Sequence, residues 1–368
     1  MRILFCGGGT AGHISPSLAL AEKLSQEPKN DFAFVGRNNG KENGIILKRG
    51  YKLYTLPISG LSRKSPLSFM KGLINILKST RLAKRIVLEF KPDLVMGMGG
   101  YVSFPTLIAA RRLNIKTAIH ESNSTPGLVT RLLADKCEKV FLGSQLVNDE
   151  KGILKRTNTI ITGNPTLTAF GSLSKSDATK KLKLPKDAFI ILSVGGSGGA
   201  KAVNDEIISF MKEYSVKHNR VCHIHSTGVK YFDYYKQTVP DFCNSKGKCR
   251  ILPFINDMPT YLSAADVVIT RCGAMTLSEI AVSGVIPIMI PSPNVTDDHQ
   301  LNNAKIYADA NAGILIEENQ LTVSRIINEI EKLRGDTILR NAMKSNIRNL
   351  ARPEASELII NELLSLTS

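Results

Sequence analysis

Two glycine loops, each placed directly after the first short apolar run of its half, limit this chain more than any other feature. Arg2–Cys6 runs into Gly7-Gly8-Gly9-Thr10-Ala11-Gly12-His13, and Phe189–Val194 runs into Gly195-Gly196-Ser197-Gly198-Gly199. Helical apolar spacing follows each loop, first over Ser15–Gln26 and then from about Ala200. Strand, glycine turn and helix in that order start a βαβ unit on a parallel sheet. Further short strands are predicted at Phe32–Val35, Leu94–Met98, Thr117–Ile119, Val140–Leu142 and Thr159–Thr162. In the second half they fall at Val221–His225, Arg250–Leu252, Val267–Thr270 and Ile286–Ile290. Helices are predicted at Met275–Val282, His299–Ala310 and Pro353–Leu366. The expectation is an α/β chain with two Rossmann-like domains. One spans residues 1–163 and the second 164–350, with a terminal helix over 351–368. Asn164-Pro165 breaks the pattern and marks the linker.

A composition of 43% apolar and 22% charged residues in 368 excludes a disordered or collagen-like chain. No run of ~18 apolar residues is present, so no membrane-spanning helix is expected. Met1-Arg2 leads straight into the first strand without the apolar core of a signal peptide, so a cytoplasmic protein is expected. Six scattered cysteines without a C-x-x-C pair argue for reduced thiols, against a zinc cluster or disulfide framework.

The net charge of +16 is unevenly spread. Residues 1–165 hold 25 Lys/Arg against 11 Asp/Glu, and residues 166–368 hold 23 against 21. The excess in the first half suits a polyanionic partner. Apolar Leu67, Phe69, Met70, Leu73, Ile74, Ile76 and Leu77 are interleaved with Lys71, Lys78, Arg81, Lys84 and Arg85, which reads as a basic amphipathic segment for an anionic membrane surface. A packed helix with a solvated basic face is the competing reading. Nucleic acid is not expected, because no helix-turn-helix, RNP-like motif or zinc finger is present.

Glycines 7, 9 and 12 form G-x-G-x-x-G, whose backbone N–H groups favour an anion at a helix N-terminus. The second strand ends Val35-Gly36-Arg37 with no acid for an adenosine ribose, leaving Arg37 as a thin argument for an NADP-dependent oxidoreductase. Arg271-Cys272-Gly273-Ala274-Met275-Thr276-Leu277-Ser278-Glu279 is a third turn of this kind, suited to a diphosphate, with Glu279 placed to bind a ribose diol or to act as a capping-box acid.

Gly8–His13, Gly97-Met98-Gly99-Gly100-Tyr101-Val102-Ser103, His120-Glu121-Ser122-Asn123, Gly163-Asn164-Pro165, Gly195–Ala200, Phe254-Ile255-Asn256-Asp257-Met258, Gly273–Glu279 and Asp298-His299-Gln300 occur in that order. From the first strand to about residue 320 this series resembles the MurG family of GT-B glycosyltransferases. Members of that family add N-acetylglucosamine to undecaprenyl-linked muramoyl-pentapeptide in peptidoglycan synthesis. The resemblance implies a deep interdomain cleft and a C-terminal helix that returns to the first domain. It implies UDP-N-acetylglucosamine and an undecaprenyl-linked acceptor as partners, and a peripheral position on the cytoplasmic face of the plasma membrane.

Carried onto this chain, it implies that Ser197 and the Ala274, Met275 and Thr276 backbone hold the diphosphate, with Leu277 and Ser278 beside them. Ile255 meets the uracil, Glu279 the ribose, and His299 and Gln300 the sugar hydroxyls. Thr10, Ala11, Gly12 and Asn123 lie across the cleft. Three positions depart from the family pattern: Ala11 replaces a usual Gly, Leu167 a usual Arg and Gly198 a common Gln. Leu167 leaves open a transferase for another lipid-linked acceptor. The expected chemistry is a single inverting displacement with no cofactor and no metal, since D-x-D is absent. His13 is the expected base, with Glu121 as the second candidate. Each also has a plain structural reading, His13 as a helix-start residue and Glu121 as the carboxylate that orders the Asn123 loop.

Overall fold

The computed structural model describes residues 1–9, 11–40, 43–58, 66–147, 149–196, 198–239 and 248–367, the side chains of 11, 66–71 and 73 excepted. Two compact units result, Met1–Leu167 with Arg352–Ser368, and Thr168–Ala351.

The first unit is built on a seven-stranded parallel sheet. Its strands are β1 (Arg2–Cys6), β2 (Asp31–Arg37), β3 (Lys52–Leu56), β4 (Leu94–Gly97), β5 (Lys116–Glu121), β6 (Lys139–Leu142) and β7 (Thr159–Ile161). Their spatial order is β3-β2-β1-β4-β5-β6-β7. Ile3 pairs with Phe32 on one side and Leu94 on the other. β1 is apolar from Ile3 to Cys6, after the exposed Arg2, because helices cover both faces of the sheet. Ile3 and Phe5 enter one core with Leu18, Leu20 and Phe34, whereas Leu4 and Cys6 enter the other with Val87, Phe90 and Leu107.

The terminal helix Ala355–Thr367 belongs to this unit. Ile359 and Leu363 are fully buried in the same core as Phe5. Its acids pair with Lys23 (Glu357, 2.6 Å) and Lys139 (Glu362, 2.7 Å).

The second unit repeats the plan. Its strands are β8 (Phe189–Val194), β9 (Val221–Ser226), β10 (Cys249–Leu252), β11 (Val267–Thr270), β12 (Ile286–Met289) and β13 (Ile314–Leu315), all parallel. The order is β10-β9-β8-β11-β12-β13. In each sheet the direction of winding reverses at the first strand, between β1 and β4 and between β8 and β11. Open α/β sheets bind ligands just beyond the strand ends at that reversal.

Candidate active site

The loop after β1 and the loop after β4 meet at the first reversal. Ser103 Oγ, fully buried, lies 2.8 Å from the Cys6 carbonyl and 2.7 Å from the Gly99 carbonyl, tying the two strand ends together. Gly7 N–H donates to Val35 O at 3.2 Å, and the chain then turns through Ala11–His13 into the Ser15–Leu24 helix. His13 folds back so that Nδ1 lies 3.1 Å from the Gly8 carbonyl oxygen. Gly99 and Gly100 adopt φ of +91° and +74°, which only glycine takes up without strain. A Cβ on Gly99 would come within 2.9 Å of His13 Cδ2, and one on Gly100 would overlap the Gly8 carbonyl. The imidazole therefore rests on bare backbone. Thr10, expected in this loop, lies outside the described residues.

Glu121 ends β5 and is buried. Its Oε1 accepts from Asn123 N–H (3.1 Å) and Asn123 Nδ2 (3.3 Å), and its Oε2 from Gly127 N–H (2.8 Å) and Thr130 Oγ1 (2.7 Å). With four donors on two oxygens, this carboxylate shapes the 122–127 loop. That is the plain structural reading of Glu121; to serve as the second candidate base it would also need a lone pair directed at substrate. Asn123 is held by the same carboxylate.

At the second reversal, the Ala274–Ser283 helix starts from Gly273, which provides no side-chain cap, and its first turn holds no acid. Its first backbone bond is Leu277 N–H to Gly273 O at 3.0 Å, so Ala274, Met275 and Thr276 keep N–H groups with no partner inside the helix. Met275 and Leu277 turn their side chains into the core, Leu277 among Cys272, Met289 and Ala304. Of these two expected residues, only the backbone faces outward. Ser278 is half-buried one residue before Glu279. Ser197 lies outside the described residues, between Gly196 and Gly199 at φ of +84° and +71°.

Glu279 is half-buried and accepts no hydrogen bond among the described residues, so the capping box back to Thr276 is not formed. Withdrawal from solvent raises its carboxyl to about 8. Ile255 follows β10 with its side chain buried, so only its backbone is available to a base.

His299 Nδ1 lies 2.8 Å from Thr296 O. Asp297 and Asp298 before it adopt φ of +55° and +47°, a tight entry into the His299–Asp309 helix. Gln300 does more than the sequence suggests: its Oε1 accepts from Cys272 N–H (3.2 Å) and Ser292 N–H (2.9 Å), which leaves its NH2 group as the part able to reach a sugar.

Three further residues brace this site unforeseen. Asn303 Nδ2 donates to Cys272 O (3.2 Å), and Asn204 Nδ2 donates to Thr227 O (2.8 Å). Arg271 donates to Ile290 O and Pro291 O and pairs with Glu318. Their partners are distant in sequence, so spacing carried no signal of them.

The glycosyltransferase family 28 N-terminal domain matches residues 3–142, and the family's C-terminal domain matches residues 190–359. A Caldicellulosiruptor saccharolyticus protein is 36% identical over 374 residues, spanning 100% of this chain and 99% of its own. It is named UDP-N-acetylglucosamine--N-acetylmuramyl-(pentapeptide) pyrophosphoryl-undecaprenol N-acetylglucosamine transferase. The chain belongs to glycosyltransferase family 28. A Listeria welshimeri protein of the same name is 33% identical, over 100% of this chain and 99% of its own. The crystal structure of Acinetobacter baumannii MurG superposes with a TM-score of 0.74 at 26% identity, covering 99% of both chains. The GT-B architecture is thus shared, and family membership displaces the oxidoreductase reading of Arg37.

The Pro66–Phe90 helix of this family 28 chain turns Ser79, Thr80, Ala83, Ile86, Val87 and Phe90 inward. Its outer face carries exposed Leu77 (60%) and Leu88 (53%), with Ile74 and Leu82, among exposed Lys78, Arg81, Lys84 and Arg85. Residues 63–65 and the Lys71 side chain lie outside the description. Among the described residues no helix is long and apolar enough to cross a membrane.

Proposed function

We propose that this chain transfers N-acetylglucosamine from UDP-N-acetylglucosamine to undecaprenyl-pyrophosphoryl-N-acetylmuramoyl-pentapeptide, converting lipid I to lipid II. The observation that carries this reading is the end-to-end 36% identity with a protein named for that reaction. The second unit takes the donor. Its diphosphate caps the open Ala274–Thr276 N–H groups, where the helix dipole favours negative charge, with Ser197 adding to the cradle. Glu279 receives the ribose hydroxyls, the Ile255 backbone meets the uracil, and His299 Nε2 and the Gln300 NH2 group meet the sugar.

The first unit takes the acceptor. His13 removes the acceptor hydroxyl proton as the oxygen attacks the anomeric carbon, and UDP leaves from the opposite face, giving inversion. The open N–H groups stabilise the departing diphosphate by preorganised dipoles. The outer face of Pro66–Phe90 rests on the anionic cytoplasmic leaflet, where the lipid-linked acceptor resides.

Turnover of sugar-labelled UDP-N-acetylglucosamine with lipid I tests this reading. Label should enter the lipid fraction as a β-linked disaccharide. Labelling of another lipid-linked acceptor, with lipid I left untouched, would favour the alternative that Leu167 raises.

A further inference from the structure

We propose that the Gly8 carbonyl and the Gly99–Gly100 turn are positioning groups that fix the tautomer of His13, so that Nε2 is the nitrogen that accepts the acceptor's proton. The inference rests on the transferase reading and adds to it which nitrogen acts and what orients it.

A backbone carbonyl only accepts, so the 3.1 Å contact between His13 Nδ1 and Gly8 O requires the proton on Nδ1. A neutral ring protonated there carries its lone pair on Nε2. The carbonyl that dictates this is itself confined. Gly100 passes so close that any side chain there would overlap Gly8 O, and its φ of +74° already demands glycine. Gly99 forms the floor beneath Cδ2 and Nε2, at 2.9 and 3.2 Å from where its Cβ would stand. Ser103 Oγ holds that floor to the end of β1 through the Gly99 and Cys6 carbonyls.

The proton balance follows. The acceptor O–H bond breaks and its proton goes to Nε2. The oxygen's electron pair forms the new bond to the anomeric carbon, and the bond to UDP breaks with its pair on the diphosphate. The ring becomes imidazolium, and its Nδ1–H bond to Gly8 O becomes charge-assisted at the moment the charge appears.

Nitrogen-15 NMR of histidine-labelled, unliganded protein reads the tautomer directly. The six histidines are few enough to assign His13 by comparison with His13→Gln. Protonated Nδ1 on the neutral ring is expected, the tautomer that a free histidine side chain disfavours. A neutral ring protonated on Nε2, in an enzyme that transfers sugar, would overturn the proposal.

Gly100→Ala supplies the kinetic arm. Its kcat should fall at least ten-fold, with the donor KM within two-fold of the parent and the acid limb of the kcat–pH profile displaced. Retention of the parent kcat and pH profile by a folded Gly100→Ala protein would also overturn it. If that variant does not fold, the tautomer decides alone. An Nδ1-protonated ring in a chain that transfers nothing to any lipid acceptor would sink the transferase reading instead.

Discussion

Gln300 Oε1 accepts the Cys272 backbone N–H at 3.2 Å, joining the start of one helix to the turn that opens another. The same oxygen holds Ser292 N–H at 2.9 Å, so a residue expected to serve the donor sugar also braces the loops around it. The two parts separate by substitution. Gln300→Glu keeps an oxygen acceptor and loses the NH2 donors, so the fold should hold while the donor KM rises about ten-fold. Gln300→Ala loses both and leaves two N–H groups without their acceptor, at about 1–3 kcal/mol of stability. Thermal melts beside donor titrations check this. An Ala variant as stable as the parent would remove the bracing part.

Glu279 predicts a proton coupled to donor binding. Its carboxyl, raised to about 8 in the unliganded protein, is mostly neutral at pH 7. In the proposed donor site two ribose O–H groups donate to it and favour the carboxylate, so binding should lower the pKa and expel the proton. Affinity for UDP-N-acetylglucosamine should therefore rise with pH up to about 8 and level off above it. Calorimetry in buffers of differing ionisation heat should show release approaching about one proton near pH 7. Glu279→Gln should abolish the release and weaken binding by about 1.5–3 kcal/mol. A carboxyl raised in the fold disfavours its charged form there. The unliganded protein should therefore lose stability as pH climbs from about 4.5 toward 8, and the nucleotide should restore it. Equal proton counts for parent and Gln variant would contradict this account.

The contrast between these sites and the sheets shows what a sequence makes legible. Interior strands such as Arg2–Cys6 and Phe189–Val194 are buried on both faces, so they stand out as mostly apolar runs, Ile3–Cys6 and Phe189–Leu192 without a break. The edge strands Lys52–Leu56 and Ile314–Leu315 escaped. One is half-exposed and mixed in polarity, and the other is two residues long. Glycine turns at the sheet reversals were visible because a tight strand-to-helix turn needs Gly at fixed local spacing. The seat of His13 was not, since Gly99 lies 86 residues away and no periodicity links them. For the same reason the four donors around Glu121 could not be read from the sequence.

Truncating the terminal helix where it is buried should matter more than removing its ion pairs. Ile359→Ala or Leu363→Ala opens a cavity in the core shared with Phe5, at about 2–5 kcal/mol each. Glu357→Gln and Glu362→Gln each remove an exposed or half-exposed pair, worth about 1 kcal/mol or less. Denaturant midpoints of the four variants should fall into these two groups. Equal losses would mean that charge, not packing, seats the helix.

Docking on anionic lipid should depend on the outer face of the Pro66–Phe90 helix. Exposed Leu77 and Leu88 stand among Lys78, Arg81 and Lys84, and a solvated helix gains nothing from such apolar exposure. Each cation near an anionic surface contributes ~1 kcal/mol, an attraction that fades over a Debye length of ~8 Å at physiological salt. Neutralising all three with Gln should therefore reduce vesicle binding by on the order of a hundred-fold, and reversal to Glu by more. Binding of the parent should rise with anionic lipid content and fall with added salt. Leu77→Ser with Leu88→Ser should weaken binding at all salt concentrations, because burial of apolar area is not screened. UDP binding should be unchanged in every variant, since the residues proposed to hold the donor diphosphate, uracil and ribose belong to the other unit. If the charge-reversed protein bound vesicles as the parent does, the helix would be an ordinary solvated surface, and the basic excess of the first half would need another partner.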